Sequence, residues 1–378
     1  MSNPSPILEQ LRIQEPDTLV WGGVDGAPEV IGSFGELEIE YATLRRSCVL
    51  VDEPQRGVIE VAGADGLEFL DRMLTQKLDD LEAGASRASF WLNRQGRILA
   101  DLRVVVLDEV VLLDVDVTAA EMVARSLGEF VFTEDLTIHD VSAQWHRFAL
   151  HGPETLKVLS AATGAEVSIE PGQAARVSVA GAEISLDRCD LTGEPGVEVF
   201  VRAAEAWKVW DAMVGAAELA GIALRPVGWH AFNIARVESG NPMFYLDFGP
   251  DSFPAETGVL ESRVSFVKGC YLGQEIVARM HSRGHPKQQL VGLRLSTPED
   301  VGDWQPVTGM PVLAGDEQVG VVTSSSISPM LGAEPICFAM VGWAQSQAGM
   351  VLGFRDGDEA HVCTVQPGLR FWPRRSQG

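Results

Sequence analysis

The chain has 378 residues, 46% of them hydrophobic, and a formal net charge of −24. That length and apolar content fit two or three folded domains and exclude wholesale disorder. The acidity excludes a broad basic face that grips nucleic acid, while leaving room for a small basic pocket.

Residues 1 to about 30 read as an irregular arm, with turns at Gly22-Gly23 and Asp25-Gly26. Gly57 to Val61 reads as a strand, followed by a helix that Asp65 can cap, with Leu67, Leu70, Met73 and Leu74 on its apolar face. Ala88 to Leu92, Arg97 to Leu107 and Val110 to Val115 follow as an antiparallel hairpin series. Thr118 opens an amphipathic helix. A second unit starts near Asp135. It holds strands at Phe148 to His151, Ala175 to Val179, Ile184 to Arg188 and Gly196 to Val201, and helices after Gly152-Pro153 and from Ala203 to Leu219. Pro226 to Gly240 reads as a helix. From Gln289 onward, short β-prone runs recur at 291–295, 311–313, 319–324, 337–341 and 361–365, which fits a small barrel or open sandwich.

The five cysteines, Cys48, Cys189, Cys270, Cys337 and Cys363, are odd in number and include no C-x-x-C pair. A disulfide framework or closed four-thiolate metal site is not expected, and reduced thiols in the cytoplasm are. Residues 1–20 carry no basic-then-apolar leader pattern, and no apolar run reaches membrane-spanning length. No membrane partner is therefore expected. His281 and His285 have the four-residue spacing of a metal pair, but Gly284 and Pro286 break the helix that would align them, so no metal site is expected. Arg279, Arg283 and Lys287 make a basic run around these histidines, suited to an anionic tail or an acidic partner. A solvated loop is the plain alternative.

Lys268 to Glu275 reads Lys-Gly-Cys-Tyr-Leu-Gly-Gln-Glu. The apolar Val264 to Val267 before it suggests a strand end, and Ile276 to Met280 after it suits a short helix. Cys270 would lie near Lys268 and the positive end of that helix, an environment that favours the thiolate. The alternative is a cysteine buried as a small hydrophobe.

This octapeptide resembles the K-G-C-[FY]-x-G-Q-E signature of the YgfZ-type folate-binding proteins, relatives of the glycine-cleavage aminomethyltransferase, or T-protein. Four more segments are similar to that superfamily, in its order: Asn93 to Leu102, Thr192 to Glu198, Arg236 to Gly240, and Gly320 to Ser324 with Ser328 to Gly332. The resemblance covers the chain from about residue 45 onward. It implies an α+β fold of three domains around a central folate cavity, with a C-terminal β-barrel. The implied partition is an arm at 1–40, a discontinuous α+β domain at 41–140 with 222–286, a ferredoxin-like domain at 141–221 and the barrel at 287–378.

The resemblance also implies site residues. Glu198 falls where the family's pteridine-contacting carboxylate lies, and a carboxylate can accept two hydrogen bonds from an amino-pyrimidine edge. Its plain alternative is a solvent-facing strand acid. Arg236 falls near the folate, where it could pair a glutamate-tail carboxylate, or else an acid of this chain. Tyr271 and Gln274 are counted with these cofactor-binding residues. Asp101, preceded by Ala100 where the T-protein has a second acid, is the candidate for proton handling at folate, with Cys270 and Lys268 as further catalytic candidates. The function expected first is tetrahydrofolate binding in support of iron–sulfur cluster assembly or repair, with client or assembly proteins as partners and Cys270 a ligand to a transient cluster. The alternatives are an aminomethyltransferase, a related demethylase, or a non-catalytic adaptor.

Overall fold

The computed structural model describes residues 4–23, 27–295 and 304–372. The expected Asp25-Gly26 turn lies outside them, as does the side chain of Arg283. The chain groups into two compact units. The first holds residues 1–91, 100–232 and 267–271; the second holds 92–99, 233–266 and 272–378.

The first unit starts with α1 (Leu8–Leu11), β1 (Asp17–Val20) and β2 (Glu29–Ser33). The arm expected to be irregular therefore forms structure. Its β1 and β2 pair antiparallel, Ile7, Leu8 and Leu11 are buried, and Trp21 Nε1 donates to Asp116 at 2.9 Å. Next come α2 (Leu37–Arg46), β3 (Cys48–Asp52), β4 (Arg56–Ala62), α3 (Gly66–Met73), β5 (Ser86–Leu92), β6 (Ile98–Val106), β7 (Val111–Asp116), α4 (Val117–Gly128) and β8 (Thr137–Asp140). Asp116 rather than Thr118 caps α4, its carboxylate accepting from the Thr118 amide at 2.9 Å. The unit continues with β9 (Trp145–His151), α5 (Thr155–Thr163), β10 (Ala174–Val179), β11 (Ala182–Arg188), β12 (Gly196–Arg202), α6 (Ala206–Leu219) and β13 (Leu224–Val227). The helix expected from Pro226 begins only at Trp229 as α7 (Trp229–Ser239), because Pro226 belongs to β13.

Two sheets result. One runs β10-β11-β12-β9-β3-β13 and the other β5-β6-β7-β4-β8. Alternation in β12 sends Val197, Val199 and Val201 into an apolar core with Phe148 and Leu150 of β9 and with Val209, Trp210 and Met213 of α6. Each such side chain contributes roughly 1.5–3 kcal/mol on burial. The opposite face of β12 presents Gly196, Glu198 and Phe200. Phe200 joins Val58, Val105 and Leu112 in a core shared with the second sheet. Glu198 occupies the same side of β12 with no apolar company of its own kind, so it must find charge or hydrogen bonds there.

The second unit contains α8 (Leu260–Arg263), α9 (Gln274–Arg283) and a closed barrel in the order β14-β17-β16-β15-β18-β19. Its strands are β14 (Gln288–Leu295), β15 (Pro311–Ala314), β16 (Glu317–Ser328), β17 (Glu334–Gly342), β18 (Val351–Asp356) and β19 (Glu359–Val365). The barrel expectation holds, with β18 added. Val264 to Val267 is not a strand; Val264 leaves α8 extended and the following residues bend. Among the described residues no helix is long and apolar enough to cross a membrane.

Candidate functional site

The register of the six-stranded sheet places polar residues of β9 and β12 beside Glu53, which follows the end of β3. Residues directly opposite one another in an antiparallel pair share a face. Glu198 lies opposite Ala149, and Ala149 opposite Val51. Phe200 lies opposite Arg147, whose carbonyl accepts from the Glu53 amide at 3.1 Å. Gly196 lies opposite His151, and His151 opposite Val49. One face therefore collects Glu198, Arg147, Glu53 and His151 around the small Ala149.

All four polar side chains are buried, with Glu198 only 1% exposed. Arg147 Nη2 donates to Glu53 Oε2 at 2.5 Å and also to Glu198 Oε2, so one guanidinium nitrogen holds both carboxyl groups. Arg147 Nη1 pairs with Asp114, whose other oxygen accepts from Arg56 Nε at 3.0 Å. Burial works against the Asp114 carboxylate, yet Arg147 and Arg56 outweigh it and hold its pKa low. Glu53 goes the other way. Burial, then the neighbouring Glu198 charge, push it up to about 8, so it carries a proton at neutral pH. Two guanidinium charges then face the carboxylates of Asp114 and Glu198, and the cluster is balanced.

Three polar groups on this face have capacity left over, the first being Arg147, whose Nε is buried without a hydrogen-bond partner. Glu198 Oε1 is buried with no hydrogen-bond partner, and neither ring nitrogen of His151 has one. Burial drives His151 down to about 4, so it is neutral. Gly196 makes room for this ring: a Cβ there would stand 2.6 Å from His151 Nδ1. Burying a polar atom without a partner costs about 1–3 kcal/mol, so each unpaired atom in a folded interior is a position that a water, an ion or a ligand would stabilise.

The residues expected from the sequence fall in several places. Glu198 is buried rather than solvent-facing. Asp101 is half-buried on β6, beside the fully buried Ala100. Tyr271 is buried, and its hydroxyl, pushed up to about 12 by burial, has no hydrogen-bond partner. Gln274 is half-buried at the start of α9, with Glu275 in the first turn as expected.

Two expectations need correction. Arg236 does not present a free guanidinium. It is 1% exposed and donates to Asn233 Oδ1 at 2.9 Å, Asp247 Oδ2 at 2.7 Å, Ser324 Oγ at 2.7 Å and the Asn241 carbonyl at 3.2 Å. It is a brace tying α7 to β16. Lys268 does not serve the Cys270 thiol. Its ammonium donates to the Asp71, Leu74 and Gln76 carbonyls and pairs with Asp71 at 3.2 Å, closing the C-terminal end of α3. Cys270 is exposed, which sets aside the alternative of a cysteine buried as a small hydrophobe.

Of the basic run, Arg279 lines a different feature. Ile276, Arg279, Met280, Gly284 and His285 surround a cavity of about 500 Å³. The paired histidines are engaged with aromatic rings, His281 stacking on Phe266 at 3.9 Å and His285 on Trp343 at 5.2 Å.

Sequence reasoning missed Glu53, Arg147 and His151. Their signal was a charged residue within or next to an apolar strand, in Cys48-Val-Leu-Val-Asp-Glu53 and Trp145-His-Arg-Phe-Ala-Leu-His151. Such a charge has to be paired once the strand is interior.

Residues 31–268 match the GCVT N-terminal domain, and residues 288–367 match the glycine cleavage T-protein C-terminal barrel domain. An aminomethyltransferase of Streptomyces avermitilis is 30% identical over 345 residues, covering 89% of this chain and 90% of that protein. One of Bacillus pumilus is 27% identical over 330 residues, covering 86% and 88%. The crystal structure of the glycine cleavage system aminomethyltransferase T from Bartonella henselae shares the fold, with a TM-score of 0.86 at 22% identity over 99% of each chain. These findings overturn the expectation of an iron–sulfur assembly or repair role, with its cluster and client proteins. The relatives are named aminomethyltransferase, which favours the alternative reading, and the octapeptide resemblance to YgfZ-type proteins does not outweigh matches that span the chain. By both domain matches, the chain belongs to the glycine cleavage T-protein (GCVT) family.

Proposed function

We propose that the protein is a tetrahydrofolate-dependent aminomethyltransferase, with tetrahydrofolate as substrate. The observation that carries this reading is the buried, partnerless Oε1 of Glu198. A carboxylate held by Arg147 on one oxygen and open on the other suits the N–H edge of a reduced pterin. Tyr271, with its unpaired buried hydroxyl, is a second polar group offered to the folate. Asp101 holds or moves the proton at the folate nitrogen that receives the one-carbon group. Ala100 beside it is buried and carries no acid, so that task falls to Asp101 alone in this segment.

Calorimetric titration of tetrahydrofolate into the wild-type protein and into Glu198→Gln tests the pocket. The variant is expected to bind about 10–100-fold more weakly, the worth of a hydrogen bond to a charged group. Absence of binding to the wild type, or equal binding to both, removes the reading. A glycine-cleavage assay coupled to the lipoyl carrier protein tests transfer, and Asp101→Asn is expected to slow it about 10²–10⁴-fold. Binding without folate-dependent turnover would leave a folate-binding protein and sink the transferase assignment.

A further inference from the structure

The proton on the sheet face has a role that the folate reading does not use. Glu53, just past the end of β3, and Glu198 of β12 are far apart in the chain, yet both reach the same nitrogen of Arg147. Two carboxyl groups so placed cannot both be ionised in a buried site without strong repulsion, and they share a proton instead. Glu53 Oε2 takes the guanidinium hydrogen at 2.5 Å, and Glu198 keeps one oxygen without a partner.

We infer that Glu53 is a positioning residue that shares its proton with Glu198, making Glu198 a hydrogen-bond acceptor whose ligand affinity is linked to that proton. This rests on the reading of Glu198 as the pterin contact. The groups facing the pair come from every neighbouring strand. Arg147 and His151 lie on β9, Arg56 on β4, Asp114 and Asp116 on β7, Arg103 on β6, and Asp187 on β11 beside Glu198. Asp187 is already matched by Arg103, and Asp114 by Arg56 and Arg147, while His151 is neutral. The one shared proton is therefore the charge reserve of the cluster near neutral pH. A ligand edge that donates N–H groups to Glu198 screens its negative charge from Glu53 and lowers the Glu53 pKa, so binding expels part of that proton. No bond other than the carboxyl O–H breaks, and the proton passes to solvent.

Infrared difference spectra of the whole protein read the pair directly, without folate. A protonated-carboxyl band is expected at neutral pH, lost as pH rises past about 8 and absent in Glu53→Gln. Absence of the band in the wild type, or its persistence in Glu53→Gln, overturns the inference. Should Glu53→Gln fail to fold, Glu53→Asp serves in its place, and the band must then move. Titrating tetrahydrofolate at pH 7 in two buffers of different ionisation heat counts the expelled protons. Wild type is expected to release a fraction of a proton and Glu53→Gln none. Equal release in both overturns the linkage. No binding heat at all, with the carboxyl band present, removes the folate reading while the shared proton stands.

Discussion

Arg147 and Arg236 are both buried, both sit in segments rich in apolar residues, and both are paired with carboxylates, yet they do different work. Around Arg236 the hydrogen bonding closes on itself. Its carboxylate partner Asp247 also accepts from the Met243 amide at 2.9 Å and from Thr323 Oγ1 at 2.9 Å. Around Arg147 it does not close. Glu198 Oε1 and the His151 nitrogens are left over, and Glu53 keeps a proton that the cluster shares. Burial of a charge is thus no guide to function by itself. A closed network is a brace, and a network with unspent acceptors has room for a further partner, whether water, ion or ligand.

The largest effect that can break this contrast is at the brace. Arg236→Ala leaves Asp247 buried without its cation and should cost roughly 3–5 kcal/mol in chemical denaturation, before any folate is added. A drop under 1 kcal/mol would mean that the guanidinium is not a structural tie.

Next is the pH dependence of the open cluster. Glu53 is raised from 4.5 to about 8 in the folded state. The native protein keeps a proton that the unfolded chain gives up above pH 4.5. Stability from this group is therefore full below 4.5 and declines as pH climbs to 8, by on the order of a few kcal/mol. Glu53→Gln should flatten that decline, and parallel stability curves for the two proteins would count against the shared proton.

His151 opposes Glu53 on the acid side. Its pKa falls from 6.5 to about 4, so the unfolded chain takes up a proton that the native state refuses. Stability is lost as pH drops from 6.5 towards 4, by about 2–3 kcal/mol, and His151→Gln should blunt the loss. Both slopes belong to the open cluster.

The smallest effect is expected at the sulfur. Cys270 is exposed, whereas burial pushes Cys48 and Cys363 up to about 12 and Cys337 well above the ordinary thiol range. Cys270→Ser should change stability by less than about 0.5 kcal/mol. A thiol reagent should label Cys270 in the native protein and leave Cys48, Cys337 and Cys363 unlabelled until unfolding. Slow labelling of Cys270 would contradict its exposure.

Much of the architecture was legible because it is local. Alternation in Gly196 to Val201 and the turn at Asn93 to Gly96 announce their strands, and evenly spaced β-prone runs after Gln289 announce the barrel. Strand β18 was lost because Gly353, Arg355 and Asp356 blur its alternation, and β3 because Cys48 to Asp52 is buried on both faces and has no alternation to read. The N-terminal arm was misread because proline and glycine turn signals mask short elements held by tertiary contacts, such as Trp21 on Asp116.

The sequence by itself pointed to the T-protein superfamily, to much of the element order and to Glu198 as a carboxylate worth watching. Those depend on residue type and spacing along a few neighbours. The tertiary structure decided what each buried charge does, because the partners are far apart in the chain. Lys268 finds Asp71 across 197 positions, and Arg147 finds Glu53 across 94. Hydrogen-bond capacity left unused is a property of the folded interior, and no local pattern records it.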